Sequence, residues 1–137
     1  MPVVYLTRRA VFSASHRLHS QQLSDQENRQ LFGKCNRPGG HGHNYTIEVT
    51  VRGEIDPRTG IVMNLTELKA AIQETVMRRM DHRNLNTDLP EFRQLNPTAE
   101  NIAVVCWKML QDRLPQGLLH EVVIRETENN FARYRGE

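Results

Sequence analysis

The chain has 137 residues, of which 38% are apolar and 25% are charged, close to the average for a soluble globular domain. Its formal net charge of +2 is carried by scattered basic residues, which argues against a nucleic-acid-binding surface. No stretch approaches the ~20 apolar residues that a membrane-spanning helix needs. Two cysteines do not suggest a disulfide framework and the first residues lack a secretory signal pattern, so we expect a single cytoplasmic domain over residues 1–137.

The first half of the chain predicts two strands separated by polar segments. Alternating residues predict a strand from Val3 to His16. The polar segment from Ser20 to Phe32 is interpreted as a short helix or an ordered loop, and the segment from Lys34 to Gly42 as a turn. The clearest strand runs from His43 to Gly53, and Ile61 to Met63 is a candidate for its short continuation.

The second half predicts two helices followed by strands. Asn64 can cap the first helix, whose apolar residues recur at helical spacing as far as Met80. The second helix is expected to begin near Pro97, a residue suited to a first turn. Asp81 to Pro90 is interpreted as a loop. Leu119 to Thr127 is interpreted as a strand, and Phe131 to Arg135 as a short final strand.

This order of elements predicts an α+β fold, in which two helices cover one face of a four-stranded antiparallel sheet. Such a sheet has open edges, and open edges invite pairing with other chains. A homo-oligomer that closes the sheets of several subunits into a barrel would remove those edges.

Three histidines form a candidate metal site. His41 and His43 are two residues apart on extended chain, so both imidazoles point to the same side. His16 ends the first strand on the face that also carries Phe12 and Ala14. Three histidines without a fourth strong ligand suggest a catalytic zinc ion with one open position.

Cys35 leaves two alternatives open. It lies six residues before His41, so it could be a fourth ligand that closes a structural zinc site. It could equally be a free, reactive thiol beside the metal. By contrast, Cys106 is expected in the core, and His19 and His120 are interpreted as ordinary histidines.

Two further positions carry acid–base groups. Asp81 could hold a tautomer of His82, but adjacent residues in a loop seldom join side chain to side chain, so local geometry is not expected to make them a dyad. Glu126 follows Val122 and Ile124 on one face of the last long strand. A carboxylate there is expected at the solvent end or bound to a ligand with a planar, guanidine-like edge.

Six motifs, spread in order over essentially the whole chain, together resemble the 6-pyruvoyl-tetrahydropterin synthase family. They are Phe12–Leu18, Phe32–Asn36, Gly40–Tyr45, Met80–Leu85, Thr98–Asn101 and Glu126–Asn130. The resemblance implies a tunnelling fold, whose subunits form trimers that close a barrel and stack as a homohexamer, with active sites between subunits.

The resemblance also implies roles for individual residues. It assigns zinc binding to His16, His41 and His43. It assigns proton transfer to Cys35, Asp81 and His82, and contacts with the pterin to Glu126 and Thr98. In the family the Asp–His pair and the cysteine come from different subunits. Ala99 departs from the pattern, because animal members usually carry a second threonine there.

The activity implied is that of a zinc-dependent lyase, which converts 7,8-dihydroneopterin 3'-triphosphate into 6-pyruvoyl-tetrahydropterin and triphosphate without an external redox cofactor. The five residues between Cys35 and His41 favour the biopterin-type enzyme. The 6-carboxytetrahydropterin synthase of the queuosine pathway, which typically has a shorter spacing, is the alternative activity. A non-catalytic zinc module is the alternative of another class.

Overall fold

The computed structural model describes residues 2–137, and its centre is a single five-stranded sheet in the order β3-β1-β2-β4-β5. The strands are β1 (Val3–His16), β2 (His41–Glu54), β3 (Arg83–Asn84), β4 (Leu119–Arg125) and β5 (Phe131–Tyr134). The four longer strands pair antiparallel, as the sequence predicts. The count of four is wrong by one, because β3 joins the edge of β1 in parallel.

Helices and helical turns connect these strands. In chain order they are α1 (Asp25–Phe32), a 3₁₀ turn (Gly33–Asn36), α2 (Leu65–Ile72) with its π-helical and α-helical continuations (Gln73–Met77 and Arg78–Met80), α3 (Leu85–Asp88), a second 3₁₀ turn (Pro90–Phe92) and α4 (Ala99–Arg113). None of the helices within residues 2–137 is long and apolar enough to cross a bilayer.

The helix starts follow the capping chemistry of the sequence. Ser24 and Glu27 form a reciprocal capping box at α1, and the Asn64 side chain accepts from Thr66 N at α2. Thr98 caps α4, so Pro97 lies one residue before the cap and not in the first turn. The expected strand continuation after β2 is also absent from the described residues: Ile61 to Met63 is irregular.

The core lies between one face of the sheet and helices α2 and α4. Tyr45 and Ile47 of β2, Leu68 of α2 and Ile102 of α4 are fully buried there. Cys106 is also fully buried, which confirms its predicted place in the core. Complete burial of one such large apolar side chain contributes about 1.5–3 kcal/mol, so this layer holds the helices against the sheet.

The register of β1 against β2 positions the histidines. His16 pairs with His41, and Ala14 pairs with His43, at the end where β1 finishes and β2 begins. Alternation then places the three imidazoles on the helix-covered face of the sheet. Gly40 enters β2 with a φ of 72°, and a Cβ there would lie 2.7 Å from the carbonyl oxygen of His16.

Gly40→Ala is therefore expected to destabilise the protein more than Gly60→Ala. Gly60 also has a positive φ, of 78°, but a Cβ there meets nothing within 4 Å. The control change should cost about 1–2 kcal/mol for its backbone conformation alone, whereas Gly40→Ala should cost a further 1–3 kcal/mol or so for the forced contact. Denaturant unfolding of the metal-free protein measures both, and equal losses would show that the close approach is unimportant.

Candidate active site

His16, His41 and His43 come together at the end of the β1–β2 pair. Their ligand nitrogens all lie within 4.8 Å of one another, and Nε2 of His41 is 2.9 Å from Nε2 of His43. His16 is completely buried, and the other two histidines are half-buried. The predicted constellation therefore forms a group of nitrogen atoms that converge on one point.

The hydrogen bonds of His16 fix which of its nitrogens is free. Its Nδ1 lies 2.7 Å from the carbonyl oxygen of Pro97, which can only accept, so Nδ1 carries the proton. The Nε2 atom is then an unprotonated acceptor, and it is buried without a hydrogen-bond partner among residues 2–137. An unsatisfied buried acceptor costs about 1–3 kcal/mol, which a cation bound to it would offset. These residues thus fit a metal, with the backbone orienting the imidazole from its far side.

Electrostatics keep two of the imidazoles neutral. Burial lowers the pKa of His16 and of His43. It outweighs the opposing effects of the Pro97 hydrogen bond and the Glu126 charge on His16, and of the Glu126 charge on His43. Neutral imidazole is the form that binds a metal ion. The site is therefore prepared for a cation near neutral pH.

Cys35 lies near this group but outside it. Its thiol is free, and its sulfur does not join the cluster that could hold an ion. The 3₁₀ turn that carries it is tied to the end of β1, because Leu18 N donates to the Cys35 carbonyl at 2.8 Å and the Asn36 amide donates to the Leu18 carbonyl at 2.7 Å. Among the described residues, the group of converging ligand atoms thus consists of the three histidines without this sulfur.

The chain by itself opposes the thiolate form of Cys35. Burial, and to a smaller degree the charge of Glu126, raise the pKa of the Cys35 thiol. The same two causes raise the pKa of the Tyr45 phenol. A cation near the sulfur would be needed to reverse this effect.

Glu126 stands directly after β4 and faces the histidines. Its Oε1 is 3.5 Å from Nε2 of His43, and both side chains are 19% exposed. His43 is its only ion-pair partner among residues 2–137. Much of the capacity of this carboxylate to accept hydrogen bonds is therefore available to a ligand.

Asp81 and His82 have their side chains in contact within one chain, but no hydrogen bond joins the two side chains among residues 2–137. Asp81 Oδ1 lies 3.0 Å from His82 Nδ1 and also accepts from Ser13 N at 2.9 Å. His82 has a φ of 61°, and its backbone N donates to the Ser13 carbonyl at 2.6 Å. The left-handed conformation of His82 thus accompanies a close approach of the two side chains, without the alignment that a hydrogen bond needs.

His82 does not reach the Cys35 thiol in the isolated chain. Its side chain is 83% exposed. It borders a surface depression of about 430 Å³, which is lined by Gly42 and Asn44 among others but not by Cys35. Thr98, the remaining predicted site residue, accepts from Asn101 N at 3.2 Å as the cap of α4.

Sequence reasoning missed two groups that surround His16. The Pro97 carbonyl orients its ring, and the Tyr45 hydroxyl lies 3.2 Å from its Nδ1. The position of Tyr45 near the site could have been predicted from the sequence, because Tyr45 follows His43 by two residues on the same face of β2. The role of Pro97 could not have been predicted, because it depends on a backbone carbonyl that is 81 residues from His16 in the sequence.

Glu126→Gln is expected to lower the pKa of the Cys35 thiol in the metal-free protein, because it removes the negative charge that helps to raise it. The pH midpoint of Cys35 alkylation, followed by mass spectrometry of the cysteine-containing peptide, should move to lower pH. Glu128→Gln, an exposed change two residues away, serves as the control and should leave the midpoint in place. An unshifted midpoint in Glu126→Gln would remove Glu126 from the surroundings of the thiol.

Comparison with known proteins connects this geometry to a family. The family model described as 6-pyruvoyl tetrahydropterin synthase matches residues 5–137. The human 6-pyruvoyl tetrahydrobiopterin synthase is 55% identical over 96% of this chain and 91% of its own length. The protein of that name from Drosophila melanogaster is 57% identical over 98% of this chain and 81% of its own length.

A solved structure agrees with the sequence matches. The Caenorhabditis elegans 6-pyruvoyl tetrahydropterin synthase superposes with a TM-score of 0.96 at 43% identity, covering 100% of this chain and 98% of that one. The superposition therefore shows that this chain has the fold of that protein over its whole length. The chain belongs to the 6-pyruvoyl tetrahydropterin synthase family.

Proposed function

We propose that this protein is a zinc-dependent lyase, which converts 7,8-dihydroneopterin 3'-triphosphate into 6-pyruvoyl-tetrahydropterin and triphosphate in tetrahydrobiopterin biosynthesis. The observation that carries the proposal is the group of three histidines, in which the buried Nε2 of His16 has no partner. The names of the human and Drosophila relatives supply the reaction.

Zinc is the metal that suits this site best. Three imidazoles with no further protein ligand among the described residues match a catalytic zinc site, which keeps one position for substrate. Zinc bound there supplies Lewis acidity toward the oxygens of the substrate side chain.

Cys35 is the proposed proton-transferring group. Its Sγ would take a proton from a carbon of the substrate side chain and return it at the neighbouring position, which moves reducing equivalents into the ring without an outside oxidant. A thiol whose pKa is raised by burial is a poor base at neutral pH. The cations of the assembled site must therefore favour the thiolate.

His82 is proposed to act on the thiol of a neighbouring subunit, with Asp81 holding its ring. Within one chain its side chain is 83% exposed and separate from Cys35, which supports action across an interface. Since β3 covers β1 only at Ala14 and Ser15, most of that edge is open, as is the outer edge of β5. Open edges that carry exposed Tyr5, Val11 and Phe131 support the assembly of a homohexamer, a dimer of trimers.

Glu126 and Thr98 are the proposed pterin contacts. The Glu126 carboxylate can accept two parallel hydrogen bonds from the amino-pyrimidinone edge of the ring, which would fix the side chain over the metal. Thr98 uses its oxygen to cap α4 but keeps its hydroxyl proton to donate. A site that depends on a reduced thiol suits a reducing compartment, so we place the protein in the cytoplasm.

Product analysis tests the proposed reaction directly. After incubation with dihydroneopterin triphosphate, mass spectrometry should find a pyruvoyl pterin and free triphosphate. A carboxyl pterin would instead identify the 6-carboxytetrahydropterin synthase activity, and the absence of both products would contradict a lyase.

His41→Ala is expected to abolish stoichiometric zinc binding, because two histidines leave too few ligands for a stable site. His120→Ala is the matched control, since that ring packs against Tyr5 and belongs to no metal cluster among the described residues. Zinc content by plasma emission spectrometry after dialysis measures both variants. Full zinc occupancy in His41→Ala would rule out the three-histidine site.

Cys35→Ala is expected to retain zinc but to lose turnover by about 10²–10⁴-fold, the usual contribution of a positioned acid–base group. Cys106→Ala, in the core, should lose stability while its turnover stays close to that of the parent. In the zinc-loaded parent, the Cys35 thiol should also react with iodoacetamide. A thiol that is protected until zinc is removed, together with loss of zinc in Cys35→Ala, would point to a structural zinc module. Full turnover in Cys35→Ala would reject the proton-transfer role.

A further inference from the structure

A strongly basic cavity lies beside the turn that carries Cys35. Its volume is about 440 Å³. Four cationic side chains contribute to its wall, against the single carboxylate of Asp25: Arg17, Arg29, Lys34 and Arg37.

These four cations are not neutralised by the chain itself. Elsewhere, five arginines form ion pairs with carboxylates: Arg58, Arg79, Arg113, Arg125 and Arg135. None of the four cations of the cavity has a carboxylate within 4.0 Å among residues 2–137. Like charges gathered around a cavity repel one another and create a positive potential inside it, which favours a multivalent anion.

The cavity is connected to the candidate active site through Arg17. This residue follows His16 in the chain, and its Nε donates to the carbonyl of Asn36 at 2.9 Å. Its guanidinium group is therefore held at the residue after Cys35, with its terminal N–H groups still available. Lys34 precedes Cys35, so the Cα atoms of these two residues are about 3.8 Å apart.

A second cavity extends the basic surface toward His16. Its volume is about 660 Å³, and it shares Arg17, His19 and Pro38 with the first. Its lining includes His16 and Arg93 but no carboxylate. An anion bound at Arg17 would thus have cationic surroundings on both sides.

We propose that the basic cavity lined by Arg17, Arg29, Lys34 and Arg37 binds a polyphosphate chain, and that this chain is the triphosphate group of the substrate. The substrate assignment rests on the proposed function. The planar guanidinium group of an arginine can donate two parallel hydrogen bonds to the oxygens of one phosphate group. A triphosphate can therefore engage several of these side chains at once. The cavity would then select the triphosphate ester over the phosphate-free pterin and hold the leaving group beside the thiol.

The test uses the double variant Arg29→Gln/Arg37→Gln, because neither side chain forms an ion pair or anchors the Cys35 turn. Inorganic tripolyphosphate is the probe, and bound zinc is measured after each titration to exclude chelation. We expect the Kd for tripolyphosphate and the KM for dihydroneopterin triphosphate each to rise about tenfold or more, as loss of charged hydrogen bonds predicts. The kcat and the affinity for phosphate-free dihydroneopterin should stay within about twofold.

Lys69→Gln is the matched control, an exposed cation on α2 that lines neither basic cavity. It should leave the Kd for tripolyphosphate, the KM, the kcat and the affinity for phosphate-free dihydroneopterin unchanged. Equal losses in this control would show that the effect comes from the overall charge of the protein, and would overturn the proposal. Unchanged tripolyphosphate binding in the double variant would also overturn it. Weaker tripolyphosphate binding with an unchanged KM would overturn the assignment to substrate. A protein that has no turnover, but whose tripolyphosphate binding falls only in the double variant, would retain the cavity and reject the proposed function.

Discussion

The pairing of β1 with β2 is the constraint on which the site depends. Both strands have 14 residues, and they pair from end to end without the irregularity that interrupts β2 against β4. A slip of one residue would turn His16 to the opposite face from His41 and His43, since side chains alternate along a strand. Phe12 and Tyr45 oppose that slip, because their buried rings stack at 5.2 Å directly beside the histidines.

Burying His16 carries an energetic cost, which links the metal site to folding. Complete burial lowers the pKa of this imidazole and leaves its Nε2 without a hydrogen bond among residues 2–137. The Pro97 carbonyl satisfies only the other nitrogen. A cation that binds the folded chain, and not the unfolded one, would therefore add stability that grows with the logarithm of its free concentration over its Kd once the site is largely occupied. Atoms of the histidine group therefore take part both in ligand binding and in the packing of the core.

The features that could be predicted from the sequence are those that depend on residues close together in the chain. The long strands, the Asn64 cap and the convergence of His41 with His43 follow from alternation and capping, which act over a few residues. The two-residue β3 carries no periodic pattern, and it exists because the edge of β1 offers it partners. The close approach of Asp81 and His82 was likewise out of reach, since it accompanies a positive φ that contacts with Ser13, distant in sequence, support.

The charges around Cys35 explain why one chain would not suffice for the proposed chemistry. Glu126 lies close enough to disfavour the thiolate, yet the same carboxylate is suited to hold a pterin edge. Binding the ring would engage this charge in hydrogen bonds, and a metal on the three histidines would add positive charge nearby. His82, whose side chain is 83% exposed, is proposed to contribute to a neighbouring site instead. On the proposed function, thiolate formation thus requires metal, substrate and subunit assembly together, because each supplies or masks a charge that the isolated chain leaves unbalanced.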